Sequence, residues 1–288
     1  MGDALVHDGP VCTVVVSLEP GERMPLRLLG VRDELTDRPW RPPARHWPGL
    51  PLTGGIDDQA GGTWLAVHPG IPRVACLLNA RGQVADPAGR RSRGELPLRA
   101  AADGPGVLHD LAGDPAALAA YDPFILICAT TDAVTALTWL GAEPGAGGGP
   151  AAEAPLAVRE LAPGTHLFTN AGHAFPAGPG DPSAEPKAVH FAEKFAAARP
   201  SADPALGVAP ASISAAWGDW LTLAAGDGLD PADPAAIVVG KDLPDGRVYG
   251  TTSMTLIGLG DGAVRYDFQP RPGGGDSVAD GWYSVTMA

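Results

Sequence analysis

The residues of this sequence whose types and spacing suggest chemistry are a cysteine, a charged triplet and an asparagine. Cys12 opens a β-branched run over 12–17, and the charged triplet Arg-Asp-Glu at 32–34 directly follows a second apolar segment. β-branched residues favour strands, and a thiol on the first residue of a buried strand is held rigidly beside backbone donors. Asn79 ends another apolar run, where its amide can point into a site. These features predict a cysteine-based site at strand ends.

Each of these features also has an ordinary structural explanation. A small buried cysteine is common in protein cores, and charges after a strand are common in solvated turns. Asn79 precedes Arg81 and Gly82, and its residue type alone favours a turn-forming role. At this stage of the argument both explanations stay open.

The composition describes an acidic, globular chain. Of its 288 residues, 45% are hydrophobic and 18% are charged, which is a folded rather than a disordered balance. The formal net charge is −13 and the pI is near 4.8. Such a charge argues against nucleic acid as a partner and against docking on anionic membranes. The 39 glycines and 31 prolines predict long irregular connections.

The cysteine count and the first residues bear on location. Cys12, Cys76 and Cys128 cannot all pair, and none has a zinc-ligand spacing. Residues 1–11 lack the basic and apolar regions of a secretory signal, and no apolar run approaches the length of a membrane span. We therefore expect a cytoplasmic protein with no membrane span and a polar leader at 1–11. The high content of alanine, glycine and proline resembles a high-GC bacterial proteome.

The hydrophobic pattern predicts the elements that must position these residues. Strands are predicted at 12–18, 26–31, 64–68, 74–79, 124–130, 133–140, 156–158, 166–170, 236–239, 249–258, 263–268 and 282–286. Helices are predicted at 115–121, 187–198 and 213–225, with Val189, Ala192, Phe195 and Ala196 on one face of the second. The segment 36–55 is predicted to be an irregular loop, and 141–154 a flexible insertion. Without βαβ alternation or repeats, the order predicts layered antiparallel sheets with helices on their outer faces.

Several short motifs appear in an order that resembles the NRDE-motif family, also called the transport and Golgi organisation family. The name motif stands as Val31-Arg-Asp-Glu, so its asparagine is missing. Thr252 stands where the family usually continues with arginine. The other matching motifs are Cys-Thr at 12–13, Gly-Gly-Thr-Trp-Leu at 61–65, a strand ending in Asn at 75–79, Ser-Arg-Gly at 92–94, Tyr-x-x-Phe at 121–124, Pro-Gly with Asn at 163–170, and Tyr-Gly-Thr at 249–251.

The resemblance implies an α+β fold, an Ntn-hydrolase-like αββα sandwich of two antiparallel sheets with helices on the outer faces. This fold is similar to that of bile-salt hydrolases and penicillin V acylases. A single domain would occupy 12–288, after a leader at 1–11 that is a candidate for processing. In such enzymes a cysteine at the mature N-terminus is the nucleophile, and its own α-amine is the base. A hydrolase of this kind requires cleavage of the Val11–Cys12 bond.

The same resemblance implies roles for particular residues in acyl transfer from a small-molecule amide or acyl substrate. Cys12 would be the nucleophile, Asp33 would orient its amine, and Arg32 would lower the thiol pKa. The backbone N–H of Asn79 and the side-chain amide of Asn170 would form the oxyanion hole. Trp64, Thr251 and Thr252 would contact the substrate, and no metal or cofactor is implied. The expectation is that Cys12 is the only thiol in an accessible, electropositive pocket, with Asp33 and Asn170 within reach.

Two alternatives remain at the level of sequence. Relatives in this family resemble haem-handling proteins, and a haem-trafficking protein would need an axial ligand and basic partners for the propionates. The candidate residues for that role are His46, His68, His109, His166, His173, Arg90, Arg91 and Arg93. A third possibility is a biosynthetic accessory protein with a tailored acyl substrate. The oligomeric state and the substrate are left open.

Overall fold

The computed structural model describes residues 12–142, 155–175, 185–200, 212–271 and 281–287. The predicted leader at 1–11 and most of the predicted insertion at 141–154 lie outside these ranges. The strands are β1 (Thr13–Leu18), β2 (Leu26–Leu35), β3 (Trp40–Ala44), β4 (Thr53–Asp57), β5 (Leu65–His68), β6 (Arg73–Asn79), β7 (Phe124–Thr130), β8 (Val134–Trp139), β9 (Leu156–Leu161), β10 (Gly164–Thr169), β11 (Gly172–Phe175), β12 (Gly240–Asp242), β13 (Val248–Gly260), β14 (Ala263–Pro270) and β15 (Tyr283–Ser284). The helices are α1 (Leu96–Asp103), α2 (Gly106–Ala112), α3 (Pro115–Leu118), α4 (Pro186–Ala197), α5 (Ile213–Trp217) and α6 (Asp219–Ala224).

The described strands form two antiparallel sheets. Sheet A has the order β11-β10-β1-β2-β13-β14-β15, with β12 also paired to β13. Sheet B has the order β3-β4-β5-β6-β7-β8-β9. The predicted hairpin of β1 and β2 is present, with Thr13 opposite Val31 and Leu18 opposite Leu26. Sheet A is therefore centred on the strands that carry Cys12, Arg32 and Asp33.

Three apolar layers hold the two sheets and the helices together. Alternation along β1 sends Val14, Val16 and Leu18 into the layer between the sheets. Val15 points the other way and packs with α4, α5 and α6 in a second layer outside sheet A. A third layer joins the outer face of sheet B to α1, α2 and α3. This arrangement confirms the expected α+β sandwich with αββα layers, because each sheet has one face toward the other sheet and one toward helices.

The segment predicted to be an irregular loop at 36–55 instead contributes two strands, so that prediction is wrong. β3 carries Pro42 and Pro43 but lies at the edge of sheet B, beside β4. Proline lacks an N–H and is tolerated at a sheet edge, where no second neighbour requires that donor. The pairing of β3 with β4 is irregular between Arg41 and Ala44, where the prolines stand. The prolines therefore mark an edge strand and not the absence of one.

Other differences concern element boundaries. Helices α1 and α2 were not predicted, and they supply buried leucine and alanine side chains to the layer outside sheet B. The predicted helix over 213–225 is broken into α5 and α6 by Gly218, whose φ is +51°, a value that favours glycine. The strand predicted at 236–239 is irregular, and the nearby strand β12 begins only at Gly240. None of the described helices is both long and apolar enough to span a membrane.

The buried face of α4 differs from the predicted one. Val189 is 69% exposed, whereas Lys187 is only 2% exposed. Ala188, Phe191, Ala192 and Phe195 complete the buried side. The predicted apolar face did not include the lysine, but the helix is rotated so that Lys187 faces sheet A. This rotation brings a cation under the end of β1.

Candidate active site

The strand pairing places Cys12 between two of the other predicted site residues. Thr13 pairs with Thr169 of β10 and with Val31 of β2. Continuing both antiparallel registers by one residue puts Cys12 beside Asn170 on one side and Arg32 on the other. Cys12 is half-buried and packs against the layer between the two sheets. The start of β1 is thus the point at which these residues converge.

Backbone groups of Asp33 hold the thiol. The Asp33 N–H donates to Cys12 Sγ at 3.4 Å, and the thiol donates to the Asp33 carbonyl at 3.4 Å. Burial raises the pKa of Cys12 to about 12, and the Asp33 charge adds to that increase. Arg32 acts to lower the pKa, as expected, but burial and the acidic neighbours outweigh it. In the intact chain the thiol is therefore protonated at neutral pH.

The other two cysteines are core residues. Cys76 is 2% and Cys128 is 1% exposed. Burial raises the pKa of Cys76, and it raises the pKa of Cys128 to about 12. Of the three thiols, Cys12 is the least buried.

The carboxyl group of Asp33 lies on the opposite face of sheet A from the Cys12 thiol. Thr251 donates its hydroxyl to Asp33 Oδ1 at 2.7 Å, and Lys187 Nζ lies 3.9 Å from Oδ2. Oδ2 is buried and has no hydrogen-bond partner among the described residues. Burial raises the pKa of Asp33 to about 7, although Lys187, Thr251 and Arg32 act to lower it. A buried carboxyl that titrates near neutrality is a frequent property of functional sites.

Lys187 is a site residue that the sequence analysis missed. Its Nζ lies 3.3 Å from the hydroxyl of Thr13, which it contacts from α4. Burial lowers the pKa of Lys187, whereas Asp33, Cys12 and Glu185 act to raise it. Lys187 belongs to none of the quoted motifs, and its position in a helical pattern gave no signal of burial.

Arg32 points between the sheets, where its charge is balanced. Its Nη2 donates to Asp57 Oδ2 at 3.3 Å and its Nη1 to the Thr252 hydroxyl at 3.0 Å. The guanidinium lies 4.6 Å from the centre of the Trp64 ring, a cation–π geometry. Arg38 also donates to Asp57 Oδ2, at 2.6 Å. Burial acts to raise the pKa of Asp57, but the hydrogen bond and charge of Arg38, together with other donors, hold it below the usual value.

A small cavity lies beside the thiol. Its volume is about 30 Å³, and Cys12, Arg32 and Trp64 are among the residues that line it. Trp64 is fixed there by an edge-to-face contact with Trp40, with ring centres 5.9 Å apart. A cavity of this size holds water but not an acyl substrate. The expected accessible pocket is therefore nearly closed in this conformation.

The two asparagines proposed for the oxyanion hole are placed differently. Asn170 Oδ1 is buried without a hydrogen-bond partner among the described residues. The backbone carbonyl of Asn170 accepts from the Arg81 N–H at 3.2 Å, which fixes the chain at this point. Asn79 ends β6 opposite Phe124, with an exposed side chain. Its neighbour Leu78 lines the cavity, whereas neither asparagine is among the lining residues.

A β-bulge in β13 places Thr251 and Thr252, at the end of the last motif, beside opposite faces of β2. Thr251 pairs with Asp33 and Ser253 with Arg32, so Thr252 is the extra residue. Thr251 contacts the Asp33 carboxyl, and Thr252 donates to the Arg32 carbonyl at 3.1 Å. Bulges are common next to active sites because they redirect side chains.

Tyr249 is a second neighbour that was not among the predicted site residues, although it opens the quoted motif at 249–251. Its hydroxyl donates to the Asp33 carbonyl at 2.9 Å. Burial raises its pKa, and the charges of Cys12 and Asp33 add to the increase. Tyr249 therefore fixes the backbone of Asp33, which in turn contacts the thiol.

The structure does not gather the residues of the haem alternative around Cys12. His166 Nδ1 lies 3.1 Å from His173 Nε2, and burial lowers the pKa of His173 to about 4. His68 accepts from the Ile71 N–H at 3.0 Å. The arginines of the 90–93 cluster bind Asp122, Glu95 and the Pro123 carbonyl. None of the histidines lines the cavity beside Cys12, and no group of three or more metal-binding side chains occurs within the described ranges.

Three comparisons with known proteins were made. Residues 11–203 match the model of a family described as Transport and Golgi organisation 2. Among solved structures, the chain is similar to a Caenorhabditis elegans N-acylethanolamine-hydrolyzing acid amidase (NAAA) ortholog, with 12% identity and a TM-score of 0.38. That similarity covers 85% of this chain and 92% of the other. A search of curated proteins found no match.

Proposed function

The chain belongs to the Transport and Golgi organisation 2 family, and from this premise we propose that it is an N-terminal-cysteine hydrolase of amide or acyl substrates. The observation that carries the proposal is the position of Cys12. It lies half-buried at the start of a central strand, between Asn170 and Arg32, with the backbone of Asp33 bound to its thiol. Asp33 and Asn170 each present a buried oxygen that no described residue satisfies. Buried polar atoms without partners are rare and are frequently explained by function.

The intact chain is a latent form in this proposal. Its thiol has a pKa of about 12, and an internal residue has no α-amine to accept the thiol proton. Cleavage of the Val11–Cys12 bond would create an α-amine on Cys12. The buried carboxyl of Asp33 lies beside this residue. The cleaved form would thus gain a base and an orienting carboxylate in a single step.

The reaction proceeds by acyl transfer to sulfur. The Cys12 thiol gives its proton to the α-amine, and Sγ attacks the substrate carbonyl carbon. The C–S bond forms while the C=O electron pair moves to oxygen, next to the Asn170 amide. Collapse of this intermediate breaks the C–N bond, and the leaving amine takes the proton from the α-ammonium. Water then hydrolyses the thioester, which releases the carboxylic acid and restores the thiol.

Substrate entry requires Trp64 to move. The cavity of about 30 Å³ beside the thiol is closed in part by this ring, which also covers the Arg32 guanidinium. An acyl chain that displaced the ring would occupy apolar surface between the sheets and would place its carbonyl at Sγ. This arrangement favours an apolar acyl group over a highly charged one.

Intact-protein mass spectrometry with a thiol-directed acyl probe tests the proposal. We expect a mass that lacks residues 1–11 and one acyl group per chain, and we expect Cys12→Ala to lose the acyl group. Cys128→Ala is the matched control, because its thiol is buried and does not line the cavity, and it should be acylated as the wild type is. A full-length mass with no acylation at Cys12 would refute the hydrolase.

No specific observation favours the haem alternative. The candidate histidines for which partners are described bind backbone groups or one another, and the cavity beside Cys12 is much smaller than a haem. Haem binding therefore stays a prediction from the family resemblance. Titration with haem, followed at the Soret band, is the measurement that decides it.

A further inference from the structure

We propose that Lys187 is a positioning residue for Cys12, because it holds the Asp33 carboxylate and the start of β1 in a fixed relation from the helix side of sheet A. This inference rests on the proposed function and assigns one further residue to the same site. It begins with an unusual location. Lys187 is 2% exposed, and lysine is almost never fully buried unless it is paired.

The contacts of Lys187 join the two strands that carry the site. Nζ lies 3.3 Å from the hydroxyl of Thr13 on β1 and 3.9 Å from Asp33 Oδ2 on β2. Thr13 directly follows Cys12, so its side chain projects from the face opposite the thiol. The ammonium therefore lies under the backbone of Cys12, on the side where a new α-amine would meet Asp33.

The charge of Lys187 opposes the protonation of Asp33 that burial favours. The groups that act on that carboxyl are Lys187 from α4, the Thr251 hydroxyl from β13 and, from the other face of the sheet, the charge of Arg32. Lys187 is the strongest of the influences that keep the Asp33 pKa from rising further with burial. Only the carboxylate can accept hydrogen bonds from an α-ammonium with both oxygens. Loss of the lysine would leave a neutral carboxyl at physiological pH.

The lysine cannot itself be the group that contacts the substrate. Its side chain lies between α4 and sheet A, whereas the cavity beside the thiol lies between the two sheets. It therefore acts on the site through Asp33, while its contact with the Thr13 hydroxyl holds Nζ in place. A role of this kind is distinguished from simple packing by the charge of the side chain and not by its volume.

The test uses the full chain and four variants. Lys187→Met removes the charge and keeps much of the volume, and Lys187→Arg restores the charge. Lys194→Met is the matched control on the same helix, where the lysine binds Asp227 at the surface. Asp33→Asn identifies the Asp33 signal in carbon-13 NMR titrations of aspartate-labelled protein. The second readout is the pH profile of acylation at Cys12 by the acyl probe.

We expect the Asp33 midpoint to rise by about one pH unit or more in Lys187→Met, as for a carboxylate that loses a nearby cation. The acid limb of the acylation profile should move by the same amount, which reduces acylation about fivefold at the pH where the wild type is half-active. Lys187→Arg should restore both readouts, and Lys194→Met should alter neither. An unchanged midpoint in Lys187→Met, or a shifted midpoint with an unchanged acylation profile, would overturn the proposal.

A double variant covers the case in which Lys187→Met does not fold. Replacing both members of a buried ion pair is tolerated better than removing one, so Asp33→Asn with Lys187→Met is expected to fold. If Lys187 acts through Asp33, this variant should acylate no more slowly than Asp33→Asn alone. A further loss in the double variant would refute the positioning role. A wild type that acquires no acyl group at any pH would defeat the hydrolase and this proposal together, whereas the NMR midpoints would still report the Lys187–Asp33 interaction.

Discussion

Arg32 and Asp33 are neighbours on β2, yet they lie in two very different environments. On the inner face, Arg32 has Asp57, Thr252 and the Trp64 ring as partners. On the helix face, Asp33 has one close hydrogen bond, from Thr251, and one oxygen without a hydrogen-bond partner among the described residues. The nearest cation to that oxygen, on Lys187, lies 3.9 Å away.

The difference separates a charge that is fixed by several partners from the carboxyl of the proposed site. A charge with several close partners is fixed in one state, and its removal is felt as a loss of stability. A buried carboxyl with too few partners has a pKa near neutrality, so small changes around it alter its charge. On the inner face of β2, Arg32 therefore links sheet A to sheet B through Asp57. On the outer face, Asp33 can gain or lose a proton near neutral pH.

The strongest test of this comparison removes the inner charge. Arg32→Met leaves Asp57 and Thr252 without one partner each and uncovers the Trp64 ring. We expect it to lower the free energy of unfolding by about 3–5 kcal/mol, as for a broken buried ion pair. Urea unfolding measures the effect. Arg41→Met is the control, because that arginine pairs with Asp58 at the surface and should cost less than about 1 kcal/mol. Equal costs would remove the distinction between the two faces.

A change at Asp33 should affect the pH dependence of stability. The folded pKa of about 7 exceeds the ordinary aspartate value of 3.8, so the folded state binds more protons between these values. The corresponding stabilisation is present at low pH and is lost as the pH rises from about 4 to about 7. Relative to Asp33→Asn, the wild type should lose about 2–4 kcal/mol of unfolding free energy over that range. Denaturant midpoints at several pH values measure it, and parallel curves would contradict the expectation.

The smallest effects compare the two threonines of the bulge. Thr251→Val removes the hydrogen bond to Asp33 and leaves the Val239 N–H without its acceptor. We expect a cost of about 2 kcal/mol and a higher Asp33 midpoint. Thr252→Val removes contacts of Arg32 only, with a cost of about 1 kcal/mol and no change at Asp33. Thermal unfolding measures the two stability costs, and the Asp33 titration measures the two midpoints. An equal shift of the Asp33 midpoint in the two variants would contradict the assignment of Thr251 and Thr252 to different faces of β2.

The local pattern of apolar and β-branched residues was sufficient to predict the central strands of the fold. The β-branched run before Ser17 and the apolar run at 124–130 were predicted as strands, and both are buried strands of the two sheets. The order of such segments predicted layered antiparallel sheets with helices outside, and the family resemblance implied the αββα sandwich. Motifs alone predicted Cys12, Asp33 and Thr251 as site residues, and the structure describes their contacts.

The parts that were missed depend on contacts between distant residues. Lys187 lies 174 positions from Thr13, which it contacts, and a helical pattern assigns a lysine to solvent. The net pKa of the Cys12 thiol could not be predicted from the sequence either. Arg32 forms an ion pair with Asp57, and burial has a larger effect on the Cys12 pKa than the arginine has. The small cavity depends on the Trp64 rotamer and on its contact with Trp40, which no local pattern encodes.

The two prolines in β3 have a consequence for how copies of this chain meet in solution. An edge strand offers unpaired N–H and C=O groups on which a strand of another molecule can add. Pro42 and Pro43 contribute no N–H groups, and the irregular pairing at this point interrupts the flat ladder such an addition needs. Cross-chain β-augmentation and the growth of amyloid-like stacks are therefore opposed at this edge of sheet B, so that a segment rich in helix- and strand-breaking residues protects the protein against aggregation.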